Sequence, residues 1–317
     1  MTPATPKLDP REEHHRIGSP RSGLSLFLRH LPPEQPPPQR RAVLYVHGGT
    51  FPSAVSIAHR FDGRSWRDAL CESGFDVWGF DFLGFGGSDR YPEMDQPVGD
   101  NPPLLRAEEA AAQVELAVRF ILGWHELERL SIIAHSWGTI AAARFAGLEP
   151  TMVDRLVLFG PIARRQETER PSAPPAWRLV TLKDQWDRFV DDVPDGAAQV
   201  LLPRHFQDWG ERYLDTDPES RGRDPMGVKI PTGPFFDIAQ AWAGDLAYDP
   251  GRVKAPVAII RGAWDSLCTD ADARWLFDTL DNAPEKRDIK IGSATHLMHL
   301  EAMRGALHAE SIAFLSS

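Results

Sequence analysis

A chain of 317 residues is long enough to bury a sizeable core, as one large α/β domain or a domain with an insertion. Its 35 Lys and Arg against 45 Asp and Glu leave a formal net charge of -10, which repels nucleic-acid phosphates and anionic membrane surfaces and excludes both as expected partners. The only cysteines, Cys71 and Cys268, suggest neither a metal clip nor a disulfide framework, and residues 1–15 hold Asp9, Glu12 and Glu13 without an apolar run, so reduced thiols and a cytoplasmic location are expected.

Residues 1–19, rich in proline and charge at their start, are expected to form a flexible N-terminal arm. Leu24 to Arg29 alternates in part, as an edge strand does, and Pro32 to Pro38 forces an extended surface connection. Ala42-Val43-Leu44-Tyr45-Val46 is a continuous apolar run, the mark of a strand buried on both faces of a parallel sheet. It ends in His47-Gly48-Gly49-Thr50, where glycine lets the backbone turn sharply and bring an N–H to a ligand. His47 is read chiefly as a brace for that loop, with a place in the pocket wall as the second assignment.

A helix over about 65–72 and a strand over 75–82 follow, then Leu83 to Asp89, whose glycine spacing fits neither a P-loop nor a dinucleotide fingerprint. Between about 104 and 124, Val114, Ala117, Val118 and Ile121 recur at helical spacing, predicting an amphipathic helix on the sheet. Ser131 to Ala134 is β-branched and apolar. It stops at His135-Ser136-Trp137-Gly138 and gives way to small helix formers, which predicts a strand, a tight elbow and a helix. Such a turn lifts the Ser136 hydroxyl above the sheet and aims helix N–H groups at whatever it attacks. His135 is read as a packed neighbour of the elbow.

A further strand runs over Asp154 to Phe159, and the strand–helix rhythm then breaks. Residues 162–252 are read as a mainly helical insertion, with helical patches at 182–190 and 197–202. Its Trp177, Trp186, Trp209, Phe235 and Phe236, together with Trp264 beyond it, are candidates both for the insertion's own core and for a pocket wall. Alternation resumes with strands at 256–262 and 288–292 and helices over about 270–280 and 301–315. Asp265 follows the first of these strands and His296 the second, at the sheet edge where open α/β folds bind ligands. Asp270 and Asp272 suit a helix N-terminus better than a catalytic role. His296 and His299 have no third ligand nearby, so neither a metal nor a cofactor is expected.

Ser136, Asp265 and His296 stand in the order serine, acid, histidine, each past a predicted strand. On these residues the chain resembles the α/β-hydrolases over about 20–317. Asp81-Phe82-Leu83-Gly84-Phe85-Gly86-Gly87-Ser88 is similar to the Asp-x-x-Gly-x-Gly-x-Ser stretch of that family, and the only departure at the elbow is Ala134 for its usual first glycine. The resemblance implies a mostly parallel sheet flanked by helices, with a core of 20–161 and 253–317 and a cap of 162–252. It also implies a nucleophile Ser136, an acid Asp265, a base His296 and an oxyanion hole from the N–H groups of Gly49 (or Gly48) and Trp137. The expected activity is hydrolysis of a small apolar carboxylic ester or lactone. Acyl transfer or perhydrolysis, an aminopeptidase-like amide hydrolysis and a small-molecule receptor stand as alternatives, and oligomeric state is left open. Thr50 and Phe51 replace the Pro-Gly that follows His-Gly-Gly in prolyl aminopeptidases, and a serine at the elbow speaks against dehalogenase or epoxide hydrolase chemistry.

Overall fold

The computed structural model describes residues 5–35, 37–167 and 171–317. Parts of three expectations, residues 1–4 of the arm, Pro36 of the proline run and residues 168–170 of the insertion, lie outside the described residues.

Taken in order, the core contributes β1 (Glu13–Gly18), β2 (Ser25–Leu31), β3 (Arg41–Val46), α1 (Trp66–Glu72), β4 (Phe75–Asp81), α2 (Ala107–His125), β5 (Leu130–His135), α3 (Gly138–Leu148) and β6 (Val153–Phe159). An insertion follows with β7 (Trp177–Val180), α4 (Leu182–Val190), α5 (Pro203–Leu214), β8 (Val228–Pro231) and α6 (Gly233–Trp242). The core then closes with β9 (Val257–Gly262), α7 (Asp270–Thr279), β10 (Lys286–Ile291) and α8 (Arg304–Leu315).

Eight strands form one sheet in the order β1-β2-β4-β3-β5-β6-β9-β10. The six strands from β4 to β10 are parallel, while β2 runs antiparallel to both β1 and β4. Every residue of β4, β5 and β9 is buried, which explains why these strands read as unbroken apolar runs: helices cover both faces. Leu44, Val46, Ile132, Leu156 and Ile259 face the layer containing α2, α3 and α7; Val43, Tyr45, Ile133, Val157 and Ile260 face α1 and α8. The small side chains Ala141, Ala142 and Ala143 let α3 approach the sheet closely and are all buried.

Three expectations need correction. The arm is a strand from Glu13 onward, because its backbone pairs with β2 in register from Glu13↔His30 to Gly18↔Ser25; β2 is therefore interior rather than an edge. The arm is also anchored by Glu12, which is completely buried and bonded to Arg29 at 2.6 Å and to Arg67. Burial alone would raise its carboxyl, but a hydrogen bond from His14 and the charges of Arg29 and Arg67 hold it at about 2. In the insertion, 197–202 is not helical; the helix begins at Pro203, a residue suited to a first turn that needs no N–H donor. The insertion also carries an antiparallel pair, β7 with β8, which is too short to give an apolar run in the sequence.

Candidate active site

The sheet changes direction at β3, whose neighbours are β4 on one side and β5 on the other. A crevice opens at the carboxyl ends of strands at such a point. Loops after β3, β5, β6, β9 and β10 all meet there.

Ser136 occupies the elbow between β5 and α3 with φ +55°, a left-handed conformation costing a non-glycine residue about 1–2 kcal/mol. Its N–H donates to the Phe159 carbonyl at 2.9 Å, and its carbonyl accepts from the Thr139 N–H at 2.9 Å, so both sides hold the strained turn. The glycine that ends the elbow is sterically required: a Cβ on Gly138 would stand 2.3 Å from the His47 carbonyl oxygen. Ala134 lies within β5 and is fully buried, so its methyl is accommodated in the sheet.

The three residues read from the sequence are brought together. Ser136 Oγ lies 2.8 Å from His296 Nε2, and His296 Nδ1 lies 3.0 Å from both carboxylate oxygens of Asp265. All three are buried. Asp265 is oriented by the N–H groups of Leu267 and Cys268, each 2.9 Å from its Oδ1. His296 is held from behind by a turn in which Thr295 donates its N–H and hydroxyl to Glu301. Burial raises the Glu301 carboxyl to about 7, against the opposing hydrogen bonds from Thr295.

Gly48 packs directly on the elbow, where an added Cβ would meet Ser136 Cβ at 3.0 Å. The N–H groups of Gly48, Gly49 and Trp137 donate to no described protein atom. His47 is a brace and no part of a pocket wall: it is fully buried, its Nδ1 lies 2.7 Å from the Gly48 carbonyl and its Nε2 accepts from the Phe82 N–H. Burial pushes its pKa down, as it does more strongly for His135 and His299.

The insertion lies over this turn. Pro234 packs against Gly49, and the Arg188 guanidinium donates to Thr50 Oγ1 at 2.7 Å. Asp237 on α6 accepts from the Trp137 indole N–H at 3.0 Å and from the Ala107 N–H at 2.8 Å, joining the insertion to the elbow. Of the expected wall, Trp209 is fully buried, with its indole donated to the Val55 carbonyl and its ring stacked on Tyr213; it is core and offers no surface to a ligand. Trp177 is turned to Gln96 and Lys229, Phe235 to Arg178 and Phe236 to Arg106, while Trp186 packs on Phe206 beside a 240 Å³ cavity. Trp264 is half-buried and adjoins Asp265 in the chain.

Three contributors escaped the sequence reading. A Cβ on Gly160 would stand 2.9 Å from His296 Nδ1 and 3.1 Å from Asp265 Oδ2, so only glycine fits beneath that pair. A glycine ending a buried strand was the available signal, the same one that marked Gly48 and Gly49. Glu301 and Asp237 had none, because their partners come from other loops.

A cavity of about 820 Å³ is lined by Arg29, Val55, Asp81, Gly86, Arg90 and Arg212 among others. None of Ser136, Asp265 and His296 borders it. At the opposite strand ends, His30, Asp76 and His125 stand at metal-compatible spacing. Their atoms are occupied: His30 Nε2 pairs with Asp76 at 2.9 Å and the Trp78 indole N–H donates to His125 Nε2 at 2.9 Å. That arrangement binds strand to helix.

The model of the alpha/beta hydrolase fold family matches residues 41–302. The chain is an α/β-hydrolase family member. No curated protein matches its sequence. Among solved structures, this α/β-hydrolase is similar to a thioesterase domain from the curacin biosynthetic pathway, with 13% identity over 96% of this chain and 99% of that one and a TM-score of 0.62. A thermophilic esterase from Thermogutta terrifontis is 17% identical over 96% and 98%, with a TM-score of 0.59. The enol-lactonase from Burkholderia xenovorans LB400 is 15% identical over 93% and 98%, with a TM-score of 0.57. These likenesses establish a shared fold. No helix among the described residues is long and apolar enough to cross a membrane.

Proposed function

We propose that this α/β-hydrolase is a serine hydrolase of a small-molecule carboxylic ester or lactone. The observation that carries the reading is the continuous relay from Ser136 Oγ through His296 to Asp265, at 2.8 and 3.0 Å, buried at the sheet's ligand-binding edge. In the tautomer this relay requires, His296 Nδ1–H donates to Asp265 and Nε2 accepts from the serine hydroxyl.

Ser136 Oγ attacks the carbonyl carbon while its proton passes to His296 Nε2, and Asp265 stabilises the imidazolium. Charge develops on the former carbonyl oxygen. The unengaged N–H groups of Gly49 and Trp137 act as its donors, each worth about 3–4 kcal/mol in the transition state. The alcohol departs with the proton from His296, leaving an acyl group on Ser136. Water then gives a proton to His296, attacks the acyl carbon and releases the acid, and Ser136 recovers its proton. For a lactone the leaving alcohol stays attached and one hydroxy acid results. The insertion acts as a cap, since Pro234, Arg188 and Asp237 all engage the turn or the elbow.

Incubation with a fluorophosphonate followed by peptide mass spectrometry should place one adduct on the Ser136 peptide, and Ser136→Ala should form none. The same variant should lose at least about 10⁴-fold in kcat on any turned-over 4-nitrophenyl ester, as loss of a triad nucleophile does elsewhere. A folded wild type without the adduct overturns the assignment.

A further inference from the structure

Arg188, on the insertion's helix α4, reaches the oxyanion turn at Thr50, and its bonding is incomplete. Nη1 donates to Thr50 Oγ1 at 2.7 Å and to Gln185 Oε1 at 3.2 Å, and the guanidinium lies 5.2 Å from the centre of the Phe51 ring. Each of these partners is neutral. No carboxylate comes within ion-pair distance of Arg188 among the described residues; Asp191 and Asp192 act on it only from farther away, with Arg178 opposing them. Burial without a counter-charge pushes its pKa down to about 10, so it remains a cation.

Nε and Nη2 form no hydrogen bond to any described atom, and on this half-buried side chain they stay open to solvent. These two N–H groups lie along one edge of the guanidinium, the edge whose parallel donors match the two oxygens of a carboxylate. Two polar groups near it, the Gln185 amide and the Tyr213 hydroxyl, are buried and have each other as their near partner. Tyr213 is the ionisable side chain that acts most strongly on Arg188. The unpaired guanidinium edge, facing solvent beside the turn after β3, offers two parallel charged donors to an acceptor-rich group.

The location joins this place to the chemistry. Thr50 is two residues from Gly48, which touches Ser136, so the backbone from one to the other spans at most about 7 Å. His135, whose ring packs on both His296 and His299, feels the Arg188 charge, as does His299.

We propose that Arg188 docks a carboxylate carried by the substrate, so that the hydrolase acts on half-esters or lactones of acidic molecules. This rests on the Ser136 hydrolase reading and names its substrate class. The carboxylate completes the open edge of Arg188 with two charge-assisted hydrogen bonds, and in doing so it positions the scissile carbonyl toward the Gly49 turn.

The test compares the 4-nitrophenyl half-ester of glutaric acid with 4-nitrophenyl pentanoate, an uncharged ester of the same length. Wild type should prefer the half-ester. In Arg188→Met that preference, measured as the ratio of the two kcat/KM values, should drop by about 10- to 100-fold, chiefly through KM, the loss expected for hydrogen bonds to a charged group. The pentanoate should lose less, because it forfeits only the support given to Thr50. Arg188→Lys, which keeps the charge but lacks the paired donors, should fall between. If Arg188 merely clamps the insertion to the turn, both esters lose equally in both variants and the proposal is overturned. Equilibrium binding of glutarate to Ser136→Ala separates this result from the underlying reading: binding that disappears in the Ser136→Ala/Arg188→Met double variant supports the docking site even if no ester is turned over, and equal binding by both proteins overturns it.

Discussion

Two guanidinium environments, one fully buried in the core and one half-buried in the insertion, differ in how their charge is answered. Arg29 and Arg67 in the core share Glu12, which lies between them with no exposed surface. Arg188 in the insertion meets only a hydroxyl, an amide oxygen and an aromatic face. Removing a charge from water is costly, and a carboxylate partner offsets that cost within the protein. The first group has its counter-charge inside the fold, although Arg67 Nε and Nη2 form no hydrogen bond, and it ties β1 and the preceding turn to the sheet. The second has no counter-charge among the described residues, which is the ground for proposing that it serves recognition.

The largest effect that can sharpen this contrast is on stability. Glu12→Gln leaves two buried cations without their counter-charge and should lower the unfolding free energy by about 3–5 kcal/mol in urea titrations. Its kcat/KM ratio between charged and uncharged esters should match wild type. A shift in that ratio like the one expected of Arg188→Met would erase the distinction between the two environments.

A smaller effect falls on the chemistry beneath both. Gly160→Ala sets a methyl against His296 and Asp265 at a positive φ, and displacing the base by a fraction of an ångström should cut kcat about 10²-fold. Unlike Arg188→Met, it should do so alike for the half-ester and the pentanoate. Equal kcat in Gly160→Ala and wild type would show that the pair tolerates the methyl.

The smallest effect concerns Glu301. Its folded-state carboxyl titrates near 7 against an ordinary 4.5, so the protein binds more protons folded than unfolded between these values. The resulting stabilisation is full below about 4.5 and is lost as pH rises through about 7. Wild type should therefore lose about 1 kcal/mol relative to Glu301→Gln between pH 6 and 8, read from unfolding titrations at each pH. A constant difference across that range would place the proton elsewhere. The neighbours that bear on this titration are Thr295, which donates to the carboxyl, and His296 and Asp265, which act on it through space.

Much of the site was legible because its residues are local events in the chain. An apolar run ending in a small residue, a serine and a glycine specifies a strand, a strained turn and a close helix, and the structure shows Ser136 at φ +55° with no room for a Cβ at Gly138. Asp265 and His296 were legible for the same reason, since Asp265 follows the buried apolar run of β9 and His296 follows the alternating edge strand β10. The register of β1 was not legible: Glu13 to Gly18 has polar residues on both faces and becomes a strand only because β2 offers its unpaired edge.

The sequence by itself determined the α/β alternation, the break at the insertion and the three residues of the relay, because hydrophobic period and turn chemistry act over a few neighbours. Only the tertiary structure decided that Trp209 fills the insertion's own core, that Asp237 reaches the Trp137 indole, that Glu301 braces the turn before His296 and that Arg188 bonds Thr50 beside the Gly48-Gly49 turn with no carboxylate partner among the described residues. Each of these depends on contacts between segments far apart in the chain, and no local pattern encodes which distant side chain will answer a buried charge or leave it open.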